Sequence, residues 1–79
     1  MQIFVQLPES ISKSMSTSRI IAINYDGEIT VGSLYDLLNK KVPKLHSVQY
    51  FINTLNYVRL NVTEKLENQT TYNLTIKLG

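Results

Sequence analysis

Seventy-nine residues are enough for one domain and too few for a dinucleotide-binding sheet, a (β/α)₈ barrel or a two-domain catalytic cleft. A hydrophobic fraction of 43% can supply a core, and 18% charged residues with a net charge of +2 are too ordinary for a disordered chain. With no cysteine, a disulfide scaffold, a thiolate metal site and a cysteine nucleophile are excluded.

Residues 1–7 alternate, with Met1, Ile3, Val5 and Leu7 on one side and Gln2, Phe4 and Gln6 on the other, which predicts a half-buried strand. Pro8 lacks the N–H that a ladder needs and ends it. From Pro8 to Ser18 five serines accompany proline and threonine, and the segment reads as a long flexible hairpin loop (8–18) with Ile11 and Met15 as docking points. Arg19–Tyr25, with Ile20, Ile21 and Ile23, reads as a second strand, followed by a turn at Asp26-Gly27. Thr30 is placed to N-cap a helix over about 31–41 by accepting a backbone hydrogen bond, and Ile29 and Leu34 hold the positions of a hydrophobic staple. Val31, Leu34, Leu37 and Leu38 form its apolar stripe, and Lys40 and Lys41 suit the negative end of its dipole. Pro43 pushes Val42 out of the helical region and stops it.

Val48–Ile52 reads as a third strand, Asn53–Asn56 as a turn, Tyr57–Leu60 as a short fourth strand and Thr63–Asn68 as a brief helical turn. Tyr72–Leu78 alternates again, turning Tyr72, Leu74, Ile76 and Leu78 inward. The fold class is α+β: a mixed four- to five-stranded sheet with one main helix packed on one face. The first and last strands alternate most strongly and belong at its centre, for which the β-grasp arrangement is the candidate. The expected core is Ile3, Val5, Ile21, Ile23, Val31, Leu34, Leu38, Leu74 and Ile76. Tyr35 and Leu37 are expected at its edge.

No catalytic, cofactor-binding or metal residue is assigned. His46 is the single histidine and the acids are scattered, so a triad, a carboxylate dyad or a metal cage lacks its parts. Gly27, Gly32 and Gly79 make no phosphate loop. Lys40, Lys41 and Lys44 form the one basic cluster, read as a solvated helix end. A net charge of +2 gives little counterion release, so no direct nucleic-acid binding is expected. The tyrosines are too dispersed for a base-stacking platform. Neither a signal peptide nor a membrane span is expected, and the sequons at Asn61, Asn68 and Asn73 then read as chance.

Met1-Gln2-Ile3-Phe4-Val5 resembles the opening of ubiquitin, and Thr30-Val31 followed by Leu34 and Leu38 resembles its helix cap and core stripe. Leu74-Thr75-Ile76-Lys77-Leu78-Gly79 is similar to its alternating, basic, glycine-terminated tail. A closer resemblance is to the N-terminal ubiquitin-like head of the silencing-defective family, nuclear regulators of telomere silencing, genome stability and pre-mRNA splicing. It is carried by Asn56, Leu60-Asn61, Thr63-Glu64 and the run Tyr72-Asn73-Leu74-Thr75-Ile76-Lys77-Leu78-Gly79. The resemblance implies a head fused to a longer protein and removed by ubiquitin-specific proteases (deubiquitinating enzymes) after a glycine pair. It also implies a nuclear location, with cytoplasm as the alternative, and the spliceosome as partner of the downstream part.

The sequence departs from ubiquitin in two ways. Ubiquitin's tail carries a second basic residue and ends Gly-Gly, so a chain ending at Gly79 is not expected to be conjugated in the usual manner. Ubiquitin's main recognition patch is apolar, whereas the matching outward positions here are Asn73 and Thr75, with Phe51 alone keeping apolar character. The expected protease-recognition tail is therefore Lys77, Leu78 and Gly79, and the expected partner surface is Phe51, Asn73 and Thr75. General ubiquitin receptors should bind this surface weakly. The expected function is that of a monomeric, non-catalytic, cleavable head. The alternatives are a permanent interaction module and a C-terminal-glycine modifier or sulfur carrier.

Overall fold

Alternation becomes strand at both ends of the chain. The computed structural model describes residues 1–16 and 18–77. Its elements are β1 (Gln2–Gln6), α1 (Glu9–Ser14), β2 (Ile20–Asn24), α2 (Val31–Lys41), a 3-10 helix (Pro43–Ser47), β3 (Tyr50–Asn53) and β4 (Thr70–Ile76). The strand order is β2-β1-β4-β3. β1 runs parallel to β4, while β2 and β3 pair antiparallel with their neighbours. A mixed four-stranded sheet with one main helix on a single face is the ubiquitin-like β-grasp fold.

The strand period of two turns Ile3, Val5, Ile23, Ile52, Tyr72 and Leu74 toward α2, where all are buried. α2 meets them with Val31, Leu34 and Leu38, which are fully enclosed. Ile21 and Ile76, at the margins of this layer, are only partly buried. Ile11, Ile29, Val42, Leu45 and Leu66 complete the core from outside the strands.

α2 begins where Thr30 accepts a hydrogen bond at Oγ1 from the Ser33 N–H, 3.3 Å away. Ile29 and Leu34, the staple pair, are both buried. The next orphan donors are met by the loop before β4: Val31 N–H donates to the Glu64 carbonyl and Gly32 N–H to the Val62 carbonyl, each at 2.9 Å. A Cβ at position 32 would lie 3.3 Å from the Val62 carbonyl oxygen, so the close approach of this loop favours glycine there.

Four local expectations are corrected. Residues 8–18 do not form a loop throughout, because α1 occupies Glu9–Ser14 and buries Ile11 to 4% exposure. Its serines do not break it: Ser12 and Ser14 hydroxyls donate back to the Glu9 and Ile11 carbonyls at 3.1 Å. Lys13 pairs with Glu9 one turn earlier. Tyr57–Leu60 is not a strand. Tyr57 adopts φ 64°, and only Arg59 bridges, to Asn53. Thr63–Asn68 is not helical either, since its carbonyls and amides are drawn to α2 and to Ile29. β3 starts at Tyr50 rather than Val48, which caps the 3-10 helix.

Ile11→Ala should destabilise the domain by about 2–5 kcal/mol, whereas exposed Ser10→Ala should stay within about 0.5 kcal/mol. Urea unfolding checks both. A cost below about 1 kcal/mol at Ile11 would return residues 8–18 to the status of a loop.

Candidate functional site

The face of the sheet turned away from α2 carries the three residues expected to form a partner surface. In the β3–β4 register Phe51 lies opposite Thr75 and Asn53 opposite Asn73, so Phe51, Asn73 and Thr75 share this face. Phe51 is half-buried, and the Arg59 guanidinium carbon lies 4.8 Å from its ring centroid. The bridge between Asn53 and Arg59 holds the arginine's backbone in place. The aromatic ring is thus presented under a cation instead of as bare apolar surface.

Both polar positions are engaged. The Thr75 hydroxyl donates to Asn53 Oδ1 at 3.1 Å, and Asn73 Nδ2 donates to the Thr54 carbonyl at 3.5 Å. Asn53 itself is 1% exposed, a buried amide satisfied from within the site. Tyr57, 77% exposed, overlooks the same region. With Gln6, Arg19, Asn73, Thr75 and Ile76 it lines a shallow groove of about 360 Å³. Phe51 is not the only apolar residue on this face: Phe4 and Ala22 oppose one another there, and exposed Ile20 lies opposite Gln6. Phe4 was expected on this side, and Ala22 and Ile20, together with Arg59 and Asn53, are the part that sequence reasoning missed.

The tail follows directly from the central strand β4. Lys77 is exposed, and its N–H donates to the Gln49 carbonyl at 2.8 Å, extending the ladder one residue past the strand. Leu78 and Gly79, the rest of the expected recognition tail, lie outside the described residues.

The remaining polar chemistry ties α2 to β3. The Tyr35 and Tyr50 rings sit 5.2 Å apart at 55°, and the Tyr50 hydroxyl donates to Asn39 Oδ1 at 2.8 Å. The Tyr35 hydroxyl accepts from Ile52 N–H at 3.1 Å. His46 Nε2 donates to the Asn39 carbonyl at 2.8 Å, near the end of α2. Burial, reinforced by Tyr35 and Asp36, pushes the Tyr50 hydroxyl up to about 12. These groups are bonded into the fold, and no three His, Asp or Glu side chains among the described residues are grouped to hold a metal ion.

The sheet order, the single long helix among the described residues and the central last strand define a ubiquitin-like β-grasp fold. No protein-family profile matches the chain, and no curated protein matches it. Solved structures do. The chain is similar to small archaeal modifier protein 1 of Haloferax volcanii in one crystal structure with a TM-score of 0.77 and 17% identity, covering 99% of this chain and 97% of that one. A second crystal structure of the H. volcanii protein gives a TM-score of 0.69 and 18% identity over 92% of this chain and 93% of that one. At such identity the likeness is one of fold.

Tyr50 yields a pH prediction. Its value is raised from 10.0 to about 12 in the folded state, so the unfolded chain loses this proton first as pH rises. Its contribution to stability is complete below pH 10 and falls away between about pH 10 and 12. Urea midpoints across that window should drop more steeply in the native sequence than in Tyr50→Phe. Parallel slopes would contradict the assignment.

Proposed function

We propose that the chain is a non-catalytic ubiquitin-like head whose tail, Lys77-Leu78-Gly79, is drawn into a ubiquitin-specific protease that grips the folded body. The observation that carries this reading is the exit of the chain. The tail leaves the central strand β4 at exposed Lys77, immediately beyond Asn73 and Thr75 on the outer face. A protease docked over that face therefore meets the chain at Lys77. Arg59 over Phe51 and the engaged Asn73 and Thr75 make this face more polar than ubiquitin's patch, favouring selected proteases over general ubiquitin receptors. Cleavage after a glycine pair would release a downstream nuclear effector of splicing and genome stability, and the nuclear location and the link to the spliceosome rest on the sequence resemblance.

A second reading, that of a C-terminal-glycine modifier, is favoured by one specific observation: the likeness in fold to small archaeal modifier protein 1 extends over 99% of the chain. The two readings part at the peptide bond beyond the tail. In a fusion that continues Gly79-Gly-Lys, a ubiquitin-specific protease should cut after the second glycine, and Gly79→Ala should block the cut while thermal unfolding is unchanged. A cleft shaped for glycine has no room for a methyl beside the scissile bond. Replacing Lys77 by a neutral residue should weaken protease binding modestly, in a salt-dependent way. An uncut fusion, or equal cutting of the Gly79→Ala form, would overturn the cleavable-head reading. Adenylation of a chain ending Gly79-Gly by an activating enzyme would establish the modifier reading in its place.

A further inference from the structure

The chain holds a single step at which an acidic or amide side chain of the Asp or Asn type is followed by glycine, Asp26-Gly27. Asp36 and every asparagine precede a residue that carries a Cβ. That Cβ hinders the approach of the following backbone nitrogen to the side-chain carbonyl carbon, and glycine removes the obstacle. Asp26 and Gly27 lie in the exposed turn between β2 and α2. Gly27 adopts φ 88°, and a Cβ at this position would meet nothing within 4 Å, so the turn is unpacked here.

Neither group of this step is held. Among the described residues, the Gly27 N–H finds no acceptor, and the Asp26 carboxyl has neither a hydrogen-bond donor nor a cation. The cations nearest in the fold are committed elsewhere: Lys65 pairs with Glu28 at 3.0 Å, and the Met1 ammonium donates to the Tyr25 carbonyl at 2.7 Å. The flanks of the turn, by contrast, are fixed. Tyr25 N–H donates to the Met1 carbonyl at 2.8 Å. Ile29 is buried, and its carbonyl accepts from Leu66 N–H at 2.8 Å. Asp26, Gly27 and Glu28 thus span two anchored points, and local rotation can bring the Gly27 nitrogen to Asp26 Cγ without breaking a hydrogen bond.

We infer that Asp26-Gly27 is a site of covalent modification, at which the folded chain passes from the aspartyl to the isoaspartyl linkage through a succinimide. The Gly27 nitrogen attacks Cγ of the protonated Asp26 carboxyl. The new N–C bond closes the ring, and the amide proton leaves with the carboxyl hydroxyl as water. Water then adds back to the ring. Opening at the bond between nitrogen and Cγ restores aspartate. Opening at the bond to the main-chain carbonyl carbon of Asp26 routes the backbone through Cγ and frees the α-carboxylate. The water lost is regained, and nothing is oxidised or reduced. The product lengthens the turn by one methylene, and the anchored flanks at Tyr25 and Ile29 confine that change. The freed carboxylate stands in an exposed turn, where a carboxyl methyltransferase can reach it. The turn follows Asn24, opposite Gln2 at the start of β1, whereas Lys77 lies past the far end of β4, which runs parallel to β1. The inference therefore goes beyond the protease reading and is independent of it.

The test is prolonged incubation of the folded chain at neutral pH, followed by labelling with an isoaspartyl carboxyl methyltransferase and peptide mapping. Label should accumulate at residue 26, at no less than about a fifth of the rate in the urea-unfolded chain, because a turn without hydrogen bonds needs no costly opening. Asp26→Glu, which would have to close a larger ring, should abolish the label. Asp26→Asn, which loses ammonia through the same succinimide, should gain it faster. In the converted chain, amide shifts should move around Tyr25–Ile29 while thermal unfolding stays cooperative. Absence of label at residue 26 in the folded chain would overturn the proposal, and label in the unfolded chain alone would show that the fold holds the two groups apart. Equal labelling of Asp26→Glu, or labelling centred on another residue, would overturn it as well.

Discussion

Parallel pairing of β1 with β4 joins the two ends of the chain at the centre of the sheet, and it dictates how every other part is arranged. Two parallel strands cannot be linked by a tight turn, so the sequence between them must travel across the sheet and back. α2 makes the main crossing and buries Val31, Leu34 and Leu38 on the central strands. The irregular return from β3 to β4 carries short internal bonds, among them Thr54 N–H to the Val58 carbonyl and Glu64 N–H to the Asn61 carbonyl, and the N-terminus of α2 anchors it through Val31, Gly32 and Thr30. Helix capping and loop anchoring are therefore one network in this molecule.

The same pairing leaves β2 and β3 as edges, and each has different surroundings. β3 is closed at Ile52 by Tyr35 and the loop at Leu60, and its outward-facing Phe51 is roofed by Arg59. β2 is open, with no group among the described residues bonded to the outward backbone of Ala22 and Asn24. A small domain can distinguish partners when its edges and faces differ in this way, because backbone pairing and side-chain chemistry are offered at separate places. The central position of β4 completes the division, placing Lys77 beside the polar outer face.

The elements with strong periodicity were legible in the sequence. β1 and β4 follow from alternation, and α2 follows from Thr30, the Ile29–Leu34 staple and the stripe through Leu38. Short-range signals gave way where tertiary contacts decide. α1 was hidden because serines suggest a loop, yet their hydroxyls bond within the turn, and the helical spacing of Ile11 and Met15 and of Glu9 and Lys13 was the available signal. Tyr57–Leu60 has strand-like composition but is turned by the positive φ of Tyr57. Alternation places Asn73 and Thr75 outward, whereas the outward place of Phe51 is a condition attached to the ubiquitin resemblance that the β3–β4 register meets. Nothing local in the sequence announced that Arg59 would cover Phe51 or that Asn53 would be buried against Thr75, because both depend on how the loop folds back.

The central claim is that the outer face and the tail are read together by one partner. A backbone amide-shift map of the folded chain, titrated with a catalytically inactive ubiquitin-specific protease, tests it most directly. The account predicts shifts at Phe51, Asn73, Thr75 and Lys77 in a single saturable event, with Ala22 and Lys41 undisturbed. Shifts confined to the tail, or absent from the Phe51 face, would contradict it.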